Sequence, residues 1–145
     1  MLFNSKNEVF VGKRIDTMVE AWQMPQGGID EGESPEEALF REMLEEVGTS
    51  NAQIIYESKK WYYYDLPEHL IGKLWKGKYM GQKQKWFALR FLGNDEDINI
   101  KTGHPEFEKW KWADFTTVPD MIVPFKKDLY KDLVDDFLPI ISESG

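Results

Sequence analysis

The spacing of apolar positions changes several times along this chain. Between Glu8 and Gly12 apolar residues alternate, with Val9 and Val11 on one side, the period-two pattern of a strand. From Ser34 to Val47 the period lengthens. Leu39, Met43 and Val47 recur every four residues, joined by Phe40 and Leu44, which predicts an amphipathic helix. Both ends of that helix are marked. Ser34 is the predicted N-cap, Pro35 the first helical residue, Glu37 completes a capping box, and Gly48 supplies the stop. Ala52–Ser58 and Lys60–Tyr64 read as strands, Lys85–Leu92 as a strong strand, and Phe107–Trp112 as another. Phe125–Phe137 reads as a second amphipathic helix through Phe125, Leu129, Leu133 and Phe137. Gln26–Gly32 reads as a loop, and Leu66–Lys78 as irregular and basic. Strands on both sides of a central helix, with a second helix at the end, predict an α/β fold: a mixed sheet in an α/β/α sandwich. There is no repeat or linker, and the length suits one domain spanning residues 1–145.

Composition narrows the chemistry. The absence of Cys excludes disulfides, thiolate metal sites and a cysteine nucleophile. With 6 Trp, 6 Tyr and 9 Phe, disorder is not expected. No apolar run approaches the roughly 18–20 residues that span a bilayer. The first residues, Met-Leu-Phe-Asn-Ser-Lys, lack the apolar core of a signal peptide. A cytoplasmic protein with no membrane partner is therefore expected. The 18 basic and 26 acidic residues leave a net charge of −8, which argues against indiscriminate binding to a phosphate backbone; no DNA partner is expected.

The charge is segregated, however. Asp30, Glu31, Glu33, Glu36, Glu37, Glu42, Glu45 and Glu46 share one stretch with a single base, Arg41. From Lys73 to Arg90 the bases Lys73, Lys76, Lys78, Lys83, Lys85 and Arg90 occur with no acid. Two solvated faces would explain this. So would a site that holds a cation with its acids and an anion with its bases, as polyphosphate chemistry requires. On the predicted helix, Glu42, Glu45 and Glu46 are expected to share one face, where like charges repel by a few tenths of a kcal/mol per pair, on the order of helix-surface pairs. Arg41 and solvent can offset that repulsion. A hard divalent cation with oxygen ligands, Mg²⁺ or Mn²⁺, offsets it better, with a backbone group of the Gly27-Gly28 loop close by.

The run from Gly27 to Thr49, GGIDEGESPEEALFREMLEEVGT, resembles the Nudix box. Gly27, Glu33, Arg41, Glu42, Met43, Glu45, Glu46 and Gly48 fall at the box spacing; only Thr49 replaces the usual aliphatic residue. The segments around Trp22–Gly28, Gly81–Phe87, Pro105–Trp112 and Pro124–Tyr130 are similar to the bacterial RNA pyrophosphohydrolases, also described as dinucleoside polyphosphate hydrolases. The resemblance implies a Nudix-type sandwich that removes pyrophosphate, or successive phosphates, from the 5′ end of triphosphorylated RNA and so promotes mRNA decay. It also implies divalent metal on Glu42, Glu45 and Glu46, with a Gly27 or Gly28 carbonyl and Glu106, and Arg41 orienting the carboxylates. The general base is then Glu42 or Glu45, with Glu106 second. Lys83 and Lys85 are the candidates for holding phosphates. The resemblance further implies that the first base of the RNA stacks on Arg14 and Phe125, with Lys126 and Val123 nearby. One of Tyr62, Tyr63 and Tyr64 matches a tyrosine of the dinucleoside polyphosphate enzymes. His69 and His104 read as solvated, since two histidines without a third ligand do not argue for zinc.

Two other readings compete: a diadenosine polyphosphate hydrolase, and a non-catalytic nucleotide- or RNA-binding domain, against which the intact box argues. In one respect the sequence departs from such proteins. They begin with a Tyr-Arg-Pro-x-Val-Gly segment that forms a strand, whereas Met1-Leu2-Phe3-Asn4 resembles only the tail of one. A truncated first strand, with its neighbours' edges exposed, is expected.

Overall fold

The computed structural model describes residues 1–15, 21–26, 28–65, 81–103 and 105–144, without the side chains of residues 64, 65, 81–83 and 144. The strands are β1 (Leu2–Phe3), β2 (Glu8–Arg14), β3 (Trp22–Gln23), β4 (Ala52–Glu57), β5 (Tyr62–Asp65), β6 (Gly81–Gln84), β7 (Phe87–Phe91) and β8 (Phe107–Asp114). The helices are α1 (Pro35–Val47) and α2 (Lys127–Ser144).

The main sheet runs β3-β2-β1-β7-β4, with β8 paired along β2. β1 and β7 are parallel and the other pairs antiparallel, so the sheet is mixed, as expected. β5 and β6 form a separate two-stranded sheet. The short first strand is paired on both sides, Phe3 facing Val9 of β2 and Arg90 of β7. Its neighbours' edges are therefore engaged rather than exposed at these residues.

Side chains alternate across the sheet and both faces are covered. Phe3, Val9, Val11 and Ala88 point into one core, built with Leu129, Tyr130, Leu133, Phe137 and Ile141 of α2. Leu2, Phe10, Phe87, Leu89 and Phe91 point into the other, built with Met43 and Val47 of α1. That is the predicted α/β/α sandwich: the period of two in the strands divides one sheet between two helical layers.

α1 begins and ends where its residues dictate. Ser34 Oγ accepts from the Glu37 backbone N–H, and the Glu37 carboxylate accepts from the Ser34 N–H, closing the capping box. Gly48 adopts φ 84°, and a Cβ there would sit 2.3 Å from the Asn99 carbonyl oxygen, so this end of the helix demands glycine twice over. Gly12 in β2 is set by contact instead: a Cβ would lie 2.5 Å from the Phe107 ring.

β2 and β8 run two residues beyond expectation and β4 stops one short, and three other boundaries differ for identifiable reasons. Residues 124–126 form a single 3-10 turn, and α2 runs from Lys127 to Ser144, beyond the predicted stop at Phe137. Its continued apolar stripe through Ile141, which is 2% exposed, carries it past Pro139. The predicted 85–92 strand is interrupted at Lys85-Trp86, where the Trp86 N–H turns to Ser58 Oγ. β5 starts at Tyr62 rather than Lys60, whose carbonyl accepts from the Ser58 hydroxyl. The irregular 66–78 segment, His69 and His104 lie outside the described residues.

Candidate active site

The carboxylates of α1 do not share one environment. Consecutive helix positions differ by about 100°, so Glu45 and Glu46 diverge. The Glu45 side chain is 58% exposed, whereas Glu46 is only 2% exposed. The single-face expectation is corrected for Glu45, which lies exposed beside Arg41, whereas Glu42 and Glu46 border one cavity.

Arg41 holds the cluster together. Its Nε and Nη2 donate to the two Glu33 oxygens at 2.7 and 2.9 Å, a bidentate pair. Nη1 donates to Glu42 at 2.9 Å and to Glu45 at 3.3 Å, and Nη2 donates to the Gly28 carbonyl at 2.9 Å. Asp30 lies 3.4 Å away. The hydrogen bond from Arg41, with one from the Asp30 N–H, holds the Glu33 carboxyl down to about 2, and Arg41 itself is pushed up. Glu33 thus clamps the guanidinium that contacts Glu42, Glu45 and the glycine loop. The box spacing contained this residue; its role becomes visible only in the contacts.

Glu46 is the opposite case. Both of its carboxylate oxygens are buried and find no donor. Glu106 lies against it, and its negative charge disfavours a second one on Glu46. Burial first, then Glu106 and Glu42, push the Glu46 carboxyl up to about 10. Glu42 is raised as well, by burial, against the pull of Arg41. A buried carboxylate with two orphaned oxygens, beside further carboxylates, fits a hard cation. No three acids or histidines converge as a ready-made cation site among the described residues, and Glu42 and Glu45 accept from Arg41.

Glu106 joins this centre to the second predicted group. Arg14 Nη1 is 3.6 Å from Glu106, and the Ile15 N–H donates to the Glu106 carbonyl at 3.0 Å. The β2–β8 register shifts between Lys13 and Arg14, which re-aims Arg14 toward that contact. Lys126 is 8% exposed; burial, with Arg14 beside it, lowers its ammonium to about 8. Lys126 Nζ is 5.9 Å from the Phe125 ring centre. Phe125 and Val123 are half-buried and pack against the α2-side core. Arg14, Phe125, Lys126 and Glu106 are therefore drawn together, with Val123 packed on the same core.

On the other flank a cavity of about 640 Å³ opens beside Glu42 and Glu46, walled by Trp61, Gln84, Lys85 and the apolar face of α1. Lys85 Nζ is 3.7 Å from Glu57 and 5.5 Å from the Trp61 ring centre. Gln84 donates to Gln26 at 3.1 Å and accepts from Trp86 Nε1 at 2.9 Å, bracing the strand end that enters the glycine loop. Tyr62 is buried, its hydroxyl donating to Asp136 at 2.7 Å, and it ties β5 to α2, while Tyr63 is exposed. Gly27 and the Lys83 side chain lie outside the described residues.

A sheet between two helices, with a glycine loop leading into a capped helix that presents clustered glutamates, defines one class of protein. Residues 1–133 match the NUDIX domain, and the chain belongs to that family. At 56% identity over 141 residues, covering 97% of this chain and 88% of the relative, it is similar to the RNA pyrophosphohydrolase of Rickettsia canadensis (strain McKiel). The RNA pyrophosphohydrolase of Rickettsia conorii (strain ATCC VR-613 / Malish 7) is 55% identical over the same length. Among solved structures, the E. coli dihydroneopterin triphosphate pyrophosphohydrolase superposes with a TM-score of 0.67 at 19% identity, over 93% of this chain and 91% of that one. A C. elegans Ap4A hydrolase does so at 0.64 and 19%, over 95% and 93%. At that identity these structures speak for the fold. No helix among the described residues is long and apolar enough to cross a membrane.

Proposed function

We propose that this chain is an RNA pyrophosphohydrolase, a single cytoplasmic domain that removes pyrophosphate from triphosphorylated 5′ ends of RNA and so promotes mRNA decay. The observation that carries the reading is the identity of 55–56% over 97% of the chain with curated RNA pyrophosphohydrolases. Nudix hydrolases generally use divalent cations, and Mg²⁺, or Mn²⁺ in its place, is the metal proposed here.

Glu42, Glu45 and Glu46 hold the cation, with Glu106 and a carbonyl of the Gly27-Gly28 loop. The orphaned oxygens of Glu46 support this assignment. When bound, the cation neutralises phosphate charge and makes a bound water more acidic. Glu42 or Glu45 accepts the proton of the attacking water, with Glu106 as the next candidate. Arg41, fixed by Glu33, keeps Glu42 and Glu45 oriented and is a positioning residue. Lys85 and Lys83 neutralise the phosphate oxygens as charge builds in the transition state. Arg14, Phe125 and Lys126, with Val123, take the first base, whose stacking on a guanidinium or ring plane tolerates many sequences.

The test incubates the protein with Mg²⁺ and RNA bearing a 5′-triphosphate. Release of pyrophosphate, or of successive phosphates, with conversion to a 5′-monophosphate is expected. Turnover of diadenosine tetraphosphate in place of RNA, or RNA binding without turnover, overturns the reading.

A further inference from the structure

The last turn of an α-helix leaves backbone carbonyls without intrahelical donors, and in α1 that turn carries Glu45 and Glu46. Here two of those carbonyls are taken up by one short segment of chain. The Thr102 hydroxyl donates to the Glu45 carbonyl at 2.7 Å, and the Asn99 N–H donates to the Val47 carbonyl at 2.8 Å. Gly48 packs so closely on the Asn99 backbone that no side chain fits between them. Ile98 and Ile100 sit in the core that holds Met43 and Val47, and the Asn99 side chain accepts from the Lys101 N–H at 3.0 Å. The segment thus forms a collar across the end of α1. Four residues beyond Thr102 the same chain delivers Glu106 against Glu46.

We propose that Thr102 is a positioning residue. Through the Glu45 carbonyl, its hydroxyl fixes the last turn of α1, and hence Glu45 and Glu46, relative to Glu106. This rests on the reading of those glutamates as the holders of a divalent cation. Nothing in the box contains Thr102: it lies more than fifty residues downstream and meets the helix only through its backbone. The bond is exposed, so water can replace the hydroxyl as a donor, which keeps the fold intact while freeing the turn.

The experiment compares Thr102→Val and Thr102→Ser with the parent protein. Mn²⁺ binding is measured at equilibrium without substrate, alongside the melting temperature. Groups that orient metal ligands typically contribute 10–100-fold in affinity; one acting through a backbone carbonyl is expected to contribute about 3–10-fold. Thr102→Val should weaken Mn²⁺ binding by that factor and melt within about 2 °C of the parent, and Thr102→Ser should restore the parent affinity. Unchanged Mn²⁺ binding in Thr102→Val overturns the proposal, as does a serine variant no better than valine. A fall in melting temperature that parallels the lost affinity also overturns it, because the role is then structural. No Mn²⁺ binding by the parent protein removes the metal assignment and this proposal together. Failure to act on RNA leaves the Mn²⁺ comparison intact and so marks a failure of the substrate reading alone.

Discussion

The two helical layers of this sandwich are built to different standards. Beneath α2, Tyr130, Leu133 and Phe137 are fully buried and Ile141 nearly so. Even the polar atom there is used: the Tyr130 hydroxyl accepts from the Met24 N–H at 3.0 Å. Beneath α1 there is a cavity of about 640 Å³, and Glu46 buries two oxygens with no donor. Close packing and satisfied polar groups give stability; an unfilled space and an uncompensated acid cost it. One side of the sheet therefore secures the fold, and the other carries the features on which the proposed cation and polyphosphate site rests.

The sharpest way to break this contrast is Glu46→Gln. Hydrolysis should fall by about three orders of magnitude, about 4 kcal/mol of transition-state stabilisation, while the metal-free protein unfolds at an equal or higher urea concentration. Near-normal turnover, or a destabilised fold, would place Glu46 among the structural residues instead. Truncation of apolar side chains comes next. Leu133→Ala should cost about 3 kcal/mol and Met43→Ala about half that, since α1 already borders a void and removing methylenes there adds little new cavity. Equal losses in urea unfolding would show that the two layers are packed alike.

The smallest effect is one of pH. The Glu46 carboxyl is raised from 4.5 to about 10 in the folded state, so folding binds a proton that the unfolded chain releases. Its contribution is fully present below pH 4.5 and is lost as pH rises toward 10. The buried Met1 amine, lowered to about 5, acts in the opposite sense over the same range, so the effect is read against a variant. Between pH 6.5 and 7.5 the metal-free parent should lose up to about 1.4 kcal/mol relative to Glu46→Gln. Parallel urea midpoints for the two proteins across that range would mean that Glu46 does not bind the proton.

Much of this was legible beforehand because it depends on local chemistry. The bounds of α1 follow from Ser34, Pro35, Glu37 and Gly48, residues whose preferences act within one turn. The division of the strands between two cores follows from alternation alone. The box spacing singled out the helix glutamates, yet it could not distinguish Glu45 from Glu46, since what separates them is the surface each side chain meets. The bidentate role of Glu33 needed the loop to fold back over Arg41. The extension of α2 past Pro139 came from tertiary burial of Ile141 outweighing a local helix breaker. Thr102 left no signal at all: a hydroxyl that meets a backbone carbonyl far away in sequence has no pattern to show.

Gly12 and Phe107 have an implication for descent. The ring lies where any side chain at position 12 would begin, and Phe107 follows Glu106 directly in the chain. The two positions are therefore sterically coupled. A lineage that enlarges residue 12 must shrink residue 107 in the same step or shift the acid beside it, so related chains should show the pair changing together or not at all.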